Sequence, residues 1–296
     1  MRHIRIVFFI LLVTTINSCE KVIPFTGEVT QPKIVINSLF QSDNFWEVHL
    51  SSSLSVIDTG TLSNLENASV LILDNQNNLV EVLSHDSLGF YKGTTMPQAG
   101  QQYSIEVSAP SYASVSAEDQ LPDSINISNV DTSSSSIGDN ERMDISITFT
   151  DPINFRNFYR IEIEVGLVYE DDFGTMEYFE FPASMILEDP VFENYGGGPV
   201  EQGLFTDNSF DGEEKTIEIQ IDNIIKEFDK VDELEIDHIT LLLYNITEPT
   251  YLFSKSYQVY QSATGNPFAQ PVQVYSNVNN GFGIFAGAQV NTYDIY

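Results

Sequence analysis

Apolar and polar residues alternate along most of this chain beyond its first 32 residues, and Val, Ile, Phe and Tyr fill many apolar positions. A period of two with β-branched and aromatic residues predicts strands. In the first half, the predicted strands cover residues 33–40, 47–56, 68–73, 78–84, 89–93, 101–109 and 112–118. About seven short strands separated by turn residues are typical of a β-sandwich. We therefore predict an immunoglobulin- or transthyretin-like β-sandwich over residues 32–119.

A polar, Ser-rich stretch follows at residues 120–142, and its composition predicts a linker. Strand patterns return beyond it, at residues 143–150, 157–169, 176–182, 215–221, 238–245 and 281–296. Two connections interrupt them: a hairpin tip at 170–174 and a long irregular segment at 183–214. We assign residues 143–296 to a second, larger β-rich domain.

A helix is predicted near residues 248–264. Thr247 is suited to cap it, Pro249 to its first turn, and Gly265 to its end. Phe253, Tyr257 and Tyr260 share one stripe, which at helical spacing favours a packing face against a sheet over a ligand-stacking surface. The expected fold class is therefore mainly β, with an N-terminal sandwich and a larger C-terminal β-rich domain that carries one packed helix.

The N-terminal pattern indicates export and lipid attachment. Arg2 and Arg5 precede an apolar run at residues 6–13 that is too short to span a bilayer, so residues 1–18 are predicted as a signal peptide. Cys19 follows Ile16 at position −3 and Ser18 at −1, which fits a bacterial lipobox. We predict lipidation of Cys19 and a tether over residues 19–31. An ordinary, unmodified cysteine is the alternative, although the chain offers no disulfide partner.

Charge narrows the possible partners. The chain has 12 Lys and Arg against 43 Asp and Glu, a formal net charge of −31. Such a surface repels nucleic acid and anionic lipid headgroups. Together with the lipobox, it predicts a well-solvated body outside the cytoplasm, held to a membrane by its lipid alone.

Catalytic patterns are weak. His49, His85 and His238 lie in strand or turn patterns, and the adjacent residues His85, Asp86 and Ser87 cannot form a triad because neighbouring side chains on a strand point to opposite faces. We interpret residues 85–87 as part of a turn. Acidic residues are so frequent that no pair of them indicates a hydrolase by itself. We expect no enzymatic activity and no cofactor.

One segment fits a calcium-loop template. Asp207, Ser209, Asp211 and Glu218 would supply oxygen ligands, with Gly212 at the sharp turn. A plain Asp-Gly turn that leads into a strand is the other interpretation. The strand-like alternation of residues 215–221 favours this second interpretation.

Several stretches together resemble a known family: "KIVINSLF", "GFYKG", "FTDPINFRNFYRIEIE" and "LFTDNSFDGEE", followed by a closing pattern of Pro and Gly residues. The closing pattern comprises Pro267, Phe268, Pro271, Ser276, Asn277, Gly281, Gly283 and Phe285. With the lipobox, the chain is similar to outer-membrane lipoproteins of Bacteroidota that contain a domain of unknown function and are often encoded beside a TonB-dependent receptor. The closing pattern looks structural: its glycines permit close backbone approach, and Phe285 can enter the core.

This resemblance implies a lipid-anchored accessory or binding protein of the outer membrane that partners a TonB-dependent transporter in nutrient uptake. It assigns no active site, and it leaves open whether the protein faces the cell surface or the periplasm. A structural or adhesive surface module with no role in transport is the alternative function.

Overall fold

The computed structural model describes residues 31–55, 60–137, 140–170, 175–193, 198–222, 234–266 and 268–296. The predicted signal peptide, Cys19 and the tether up to residue 30 lie outside the described residues. The chain divides into two compact units, residues 1–31 with 54–61 and residues 32–53 with 62–296. Of the first unit, only residues 31, 54–55 and 60–61 are described, and all the described strands and the described helix belong to the second unit.

Sixteen strands and one helix occur in the described part of the chain, which confirms the mainly β class with one packed helix. The elements are β1 (Ile34–Phe40), β2 (Glu47–Ser52), β3 (Ser69–Asp74), β4 (Leu79–Ser87), β5 (Phe90–Lys92), β6 (Gln102–Ser108), β7 (Val115–Gln120), β8 (Ile127–Ile137), β9 (Asn140–Thr150), β10 (Phe158–Glu170), β11 (Met176–Pro182), β12 (Met185–Leu187), β13 (Gly203–Thr206), β14 (Glu214–Asp222), β15 (Leu234–Ile246), α1 (Glu248–Ala263) and β16 (Phe282–Asp294).

The first core lies within the N-terminal strands. Hydrogen-bonded neighbours follow the order β16-β1-β2-β5-β4-β3-β6-β7. Residues from the two ends of this order, such as Ile36 and Leu50 on one side and Ile72 and Ile105 on the other, share one buried cluster. Strands that are distant in the hydrogen-bonding order therefore face each other across a core, as in a sandwich.

The second core lies in the C-terminal half. A four-stranded sheet in the order β12-β14-β9-β8 packs against β10, β13 and β15. Ile147 and Ile219 come from the first layer, and Ile163, Phe205 and Leu241 come from the second. The alternating burial of β14, in which Ile217, Ile219 and Ile221 are buried, is the expected result of a strand with one face on the core.

The predicted linker is in part a strand. Residues 127–137 form β8 and pair with β9, for example Thr132 with Ile145. Serine at the exposed edge of a sheet needs no apolar partner, so the segment lacks the alternation that would have revealed it. The two halves also belong to one compact unit, because β16 pairs with β1 in parallel and with β15 in antiparallel orientation.

Two further local predictions change. Residues 85–87, interpreted as part of a turn, complete β4, and the turn is formed by Leu88 and Gly89, whose φ values are 49° and 81°. Residues 183–214, predicted as irregular, contain the short strands β12 and β13. Residues 171–174 of the predicted hairpin tip lie outside the described residues. Glu170 and Met176, which lie on either side of them, pair with each other.

No helix among the described residues is long and apolar enough to cross a membrane.

The start of α1 is fixed by a carboxylate from a distant strand. Thr247 occupies the N-cap position, but its hydroxyl makes no capping bond to the helix. Instead, Thr247 Oγ1 donates to Asp119 Oδ2 at 2.5 Å, and the backbone N–H of Gly287 donates to the same oxygen at 3.0 Å. Asp119, on β7, therefore connects the first core to both α1 and β16.

We expect Asp119 to make stability depend on pH. Burial raises the pKa of Asp119 to about 6, so the folded protein favours the protonated form more than the unfolded chain does. The free energy of unfolding should therefore fall as pH rises from about 4 to about 6. Above this range, the contribution of Asp119 to the free energy of unfolding should be constant. Relative to Asp119→Asn, the wild type should lose about 1–3 kcal/mol across this range, measured by urea unfolding at each pH. A difference between the two proteins that does not change with pH would contradict this assignment.

Candidate functional site

The exposed side of α1 carries a row of aromatic rings. The helix packs through the buried residues Thr250, Tyr251 and Ser254, and not through the predicted stripe. Tyr257 and Tyr260 are 43% and 45% exposed. The ring centroids of Phe253 and Tyr257 lie 6.0 Å apart with nearly parallel planes, and those of Tyr257 and Tyr260 lie 6.3 Å apart. We call Phe253, Tyr257 and Tyr260 the aromatic ladder. The prediction that this stripe packs against a sheet is wrong.

The buried side of α1 explains the orientation. Tyr251 contacts Phe158 with ring centroids 5.0 Å apart, and both belong to a small cluster with Tyr244, Ile246 and Ala288. The hydroxyl of Tyr251 donates to Glu193, which also forms an ion pair with Lys255. Because Tyr251 packs in this cluster, the rotation of α1 about its axis is fixed. The stripe that contains the aromatic ladder therefore faces outward.

A cleft runs beside the aromatic ladder. A cavity of about 540 Å³ lies between α1 and residues 199–202, with Phe253 and Tyr257 on the helix side. Its other helix residues are polar: Ser254, Gln258, Gln261 and Ser262. A second cavity of about 560 Å³ adjoins it and shares Gln202 and Gln258. We call the two cavities together the α1 cleft, and their sizes are ordinary for a small-molecule site.

One residue that lines the α1 cleft is an arginine whose positive charge is paired with a glutamate of the protein. Arg160, on β10, is buried, and its Nε lies 2.9 Å from Glu162 Oε1. Its guanidinium also lies over the ring of Tyr244, 4.1 Å from the centroid. Burial raises the pKa of Glu162, and the charge of Arg160 opposes that shift. The charge of Arg160 is therefore balanced by the protein itself.

The predicted calcium residues separate into two places. Asp207 and Asp211 come together with Asp151, and their carboxylate oxygens lie within 4.8 Å of one another. Glu218 lies on the exposed face of β14, where it lines a different cavity with Asp131 and Asp144. Of the template residues, Asp207 and Asp211 thus lie close together, whereas Glu218 lies elsewhere.

Protein donors already hold the three-carboxylate group. Asp151 accepts hydrogen bonds from the Tyr159 hydroxyl and from the Gly212 N–H at 2.8 Å. Asp207 accepts one from the Asn157 N–H at 2.7 Å. Burial raises the pKa of Asp207, and Asp151 adds to that shift by charge repulsion. We assign this group to closing the loop between β13 and β14, where Asp211 and Gly212 form a turn.

The residues of the closing sequence pattern also lie in different environments: some of them contact or belong to β16, and others are exposed. Asn277 Nδ2 donates to the Phe285 carbonyl at 2.8 Å, and Asn277 Oδ1 accepts from the Phe285 N–H at 3.1 Å, so this side chain takes the place of a neighbouring strand. Gly281, Gly283 and Phe285 lie where β16 meets β1. Ser276 Oγ accepts a bond from the Val278 N–H at 3.3 Å. Phe268 is 94% exposed, Pro271 is also exposed, and Pro267 lies outside the described residues.

The three histidines among the described residues have separate partners. His49 contacts Asn64 at 3.3 Å, and the ring of His85 packs on Tyr91. His238 Nδ1 lies 3.0 Å from Asp237, and this hydrogen bond raises the pKa of His238. Among the described residues, the group Asp151, Asp207 and Asp211 is the one His, Cys, Asp and Glu cluster with metal-binding spacing, and it contains no histidine.

Three solved structures resemble the fold at low sequence identity. A segment of two fibronectin type III domains from chicken tenascin is 11% identical to this chain and has a TM-score of 0.20. The match covers 73% of this chain and 90% of the tenascin chain. The C-terminal globular domain of an oligosaccharyltransferase from Pyrococcus abyssi is 13% identical, covers 73% of this chain and 48% of its own, and scores 0.19. The BSP domain of a biofilm-associated protein is 10% identical, covers 95% of this chain and 62% of its own, and scores 0.20. These likenesses carry no information on ligand or partner.

No curated protein matches the chain. The sequence does match one family over residues 20–294, which include both cores and the predicted tether apart from Cys19. The protein therefore belongs to the family described as a domain of unknown function, DUF4249.

Proposed function

We propose that this protein is a lipid-anchored binding protein of the bacterial outer membrane that captures a ligand in the α1 cleft and delivers it to a TonB-dependent transporter. The observation that carries the proposal is the aromatic ladder on the exposed side of α1. Two tyrosine rings of the ladder remain more than two-fifths exposed beside a cleft, although the same helix buries Tyr251.

Exposed aromatic rings in a concave site favour binding. Tyr and Phe bring a large contact area with few rotatable bonds, so little conformational entropy is lost when a ligand orders them. The polar groups around the ladder, among them Gln258 and Gln261, can orient a ligand by hydrogen bonds. Two carboxylates in or beside the cleft, Glu162 and Glu193, are each paired with a cation, and we propose binding without catalysis.

The lipobox at Cys19 supports the location. The resemblance to outer-membrane lipoproteins encoded beside TonB-dependent receptors supports the partner. A body with a net charge of −31 needs an anchor to remain at an anionic membrane, since its surface is repelled by the headgroups.

Purification from native outer membranes tests the partnership. We expect a C-terminally tagged protein, solubilised in mild detergent after crosslinking, to copurify a TonB-dependent receptor. An unrelated lipoprotein with the same tag and anchor should not enrich it. Recovery of the protein without any such receptor, at matched yield, would contradict the transport role.

A structural or adhesive role is the second candidate, and it is supported by the two sandwich-like cores joined by β16 in one compact unit. A deletion strain separates the two candidates. Transport predicts slower growth on a limiting nutrient, whereas adhesion predicts unchanged growth and weaker surface attachment.

A further inference from the structure

We propose that the ligand of the α1 cleft is a neutral oligosaccharide. This inference rests on the proposed binding function and names the class of ligand for the same site. It follows from four properties of the cleft: its flat apolar surfaces, the chemistry of its polar groups, its balance of charge and its size.

The aromatic ladder provides the flat surfaces. Its rings follow one another at 6.0 and 6.3 Å, with interplanar angles of 3° and 21°. A row of similarly oriented rings suits a ligand that repeats a flat unit with an apolar face. The sugar ring is such a unit, because its axial C–H groups form an apolar face while its hydroxyls project from the edge.

The polar groups suit hydroxyl partners. Gln202, Gln258 and Gln261 each present an amide that both donates and accepts, and Ser254 and Ser262 add hydroxyls. A sugar hydroxyl also both donates and accepts, so it can pair with either end of an amide. The cleft residues thus match the hydrogen-bonding capacity of a polyol better than that of a purely apolar ligand.

The charges argue against an ionic ligand. Arg160 is balanced by Glu162 at 2.9 Å, and Lys255 beside the cleft is paired with Glu193. At Arg160 or Lys255, an anionic ligand would have to displace a carboxylate. Arg142, which lines the second cavity, already donates to Gln220 at 3.0 Å, and Glu188 adds a negative charge to the same lining. Glu201 at the rim adds a further negative charge that repels such a ligand.

The size of the cleft suits a chain of sugars. Two adjoining cavities of about 540 and 560 Å³ share Gln202 and Gln258, and the ladder continues past them to Tyr260. An extended ligand can therefore contact both cavities and the ladder at once.

Binding to the purified full-length protein tests this. The protein would be kept in a detergent without a sugar headgroup. Its binding of maltohexaose, cellohexaose, xylohexaose and mannohexaose would be measured by calorimetry and by saturation-transfer NMR. Hexagalacturonate and a chitosan hexamer serve as charged probes. We expect at least one neutral hexasaccharide to bind at least tenfold more tightly than either charged probe. No binding of the neutral probes, or tighter binding of a charged one, would overturn the proposal.

Substitutions then locate the binding. Tyr257→Ala should weaken it at least tenfold, whereas Tyr257→Phe should keep most of it because the ring is retained. Gln261→Ala should weaken it severalfold. Tyr178→Ala is the matched control, since Tyr178 is 67% exposed on β11, outside the cleft. Affinity unchanged in both Tyr257→Ala and Gln261→Ala would overturn the assignment to this cleft.

The result is independent of the transport proposal. The binding assay uses neither membrane nor receptor, so a protein that copurifies a receptor but binds no neutral sugar would refute the ligand class alone. A protein that binds sugar but copurifies no receptor would refute the transport role alone.

Discussion

Gly283→Ala is expected to lower the free energy of unfolding by about 4 kcal/mol or more, which is at the upper end for a single substitution. Gly283 has a φ of 99°, a conformation that residues with a side chain rarely adopt. A Cβ built at this position lies 1.9 Å from the Ile36 carbonyl oxygen, on the neighbouring strand β1. Relief would require β16 to move away from β1 and so to break their parallel pairing.

Trp46 offers a direct measurement of this effect. It is the only tryptophan of the chain and is buried in the first core, with its ring 6.3 Å from that of Phe285. Its fluorescence during urea unfolding therefore reports on the core that β16 enters. Gly198→Ala is the control, because a Cβ there meets no atom within 4 Å and the change should be within about 0.5 kcal/mol. Equal unfolding midpoints for the wild type and Gly283→Ala would contradict the contact between β16 and β1.

Cys19→Ser is expected to move the protein from the membrane fraction to the soluble fraction almost completely. Each buried CH₂ of an acyl chain contributes about 0.8 kcal/mol to membrane binding, and stable anchoring takes two lipid signals or more. The substitution removes the thiol to which all of the diacylglycerol would be attached. Fractionation, detergent phase partitioning and mass spectrometry of the N-terminal peptide measure the change.

Ser18→Ala is the matched control for this experiment. It keeps a small residue before the cysteine, so acylation and membrane association should be retained. A Cys19→Ser protein that sediments with membranes as the wild type does would show that the anchor lies elsewhere.

The strands of the first half were predictable because each carries its own signal. In β6, for example, Tyr103, Ile105 and Val107 are buried and alternate with more exposed residues, so a period of two is visible in the sequence. β8 gives no such signal. Its run of serines lies at a sheet edge, where neither face requires apolar side chains, and its place is fixed by pairing with β9.

The helix shows a different limit. Its position and length follow from local signals at Thr247, Pro249 and Gly265, but its orientation does not. α1 carries Tyr251 on one side and the aromatic ladder on another, and Tyr251 is the one that packs because it meets Phe158 and Tyr244 from distant strands. The spacing of Phe253, Tyr257 and Tyr260 along the sequence is the same as that of a packing face. Only the tertiary structure therefore reveals that these residues lie on the exposed side.

The carboxylate group shows the same limit at a smaller scale. The spacing of Asp207 and Asp211 brings them together locally, whereas Asp151 reaches them from the end of β9. Glu218 points away because it follows the alternation of β14. A linear template cannot include a ligand from another strand, and it cannot tell a helix from a strand after the loop.

The position of β16 has a consequence for the order of folding. This strand supplies Phe285 to the N-terminal core and Ala288 to the cluster under α1, yet it follows every other described element in the sequence. While the chain is being synthesised, the N-terminal core and the cluster under α1 cannot be completed before residues 282–294 are present. If the chain is exported, as we propose, it would thereby reach the translocation channel without a completed N-terminal core.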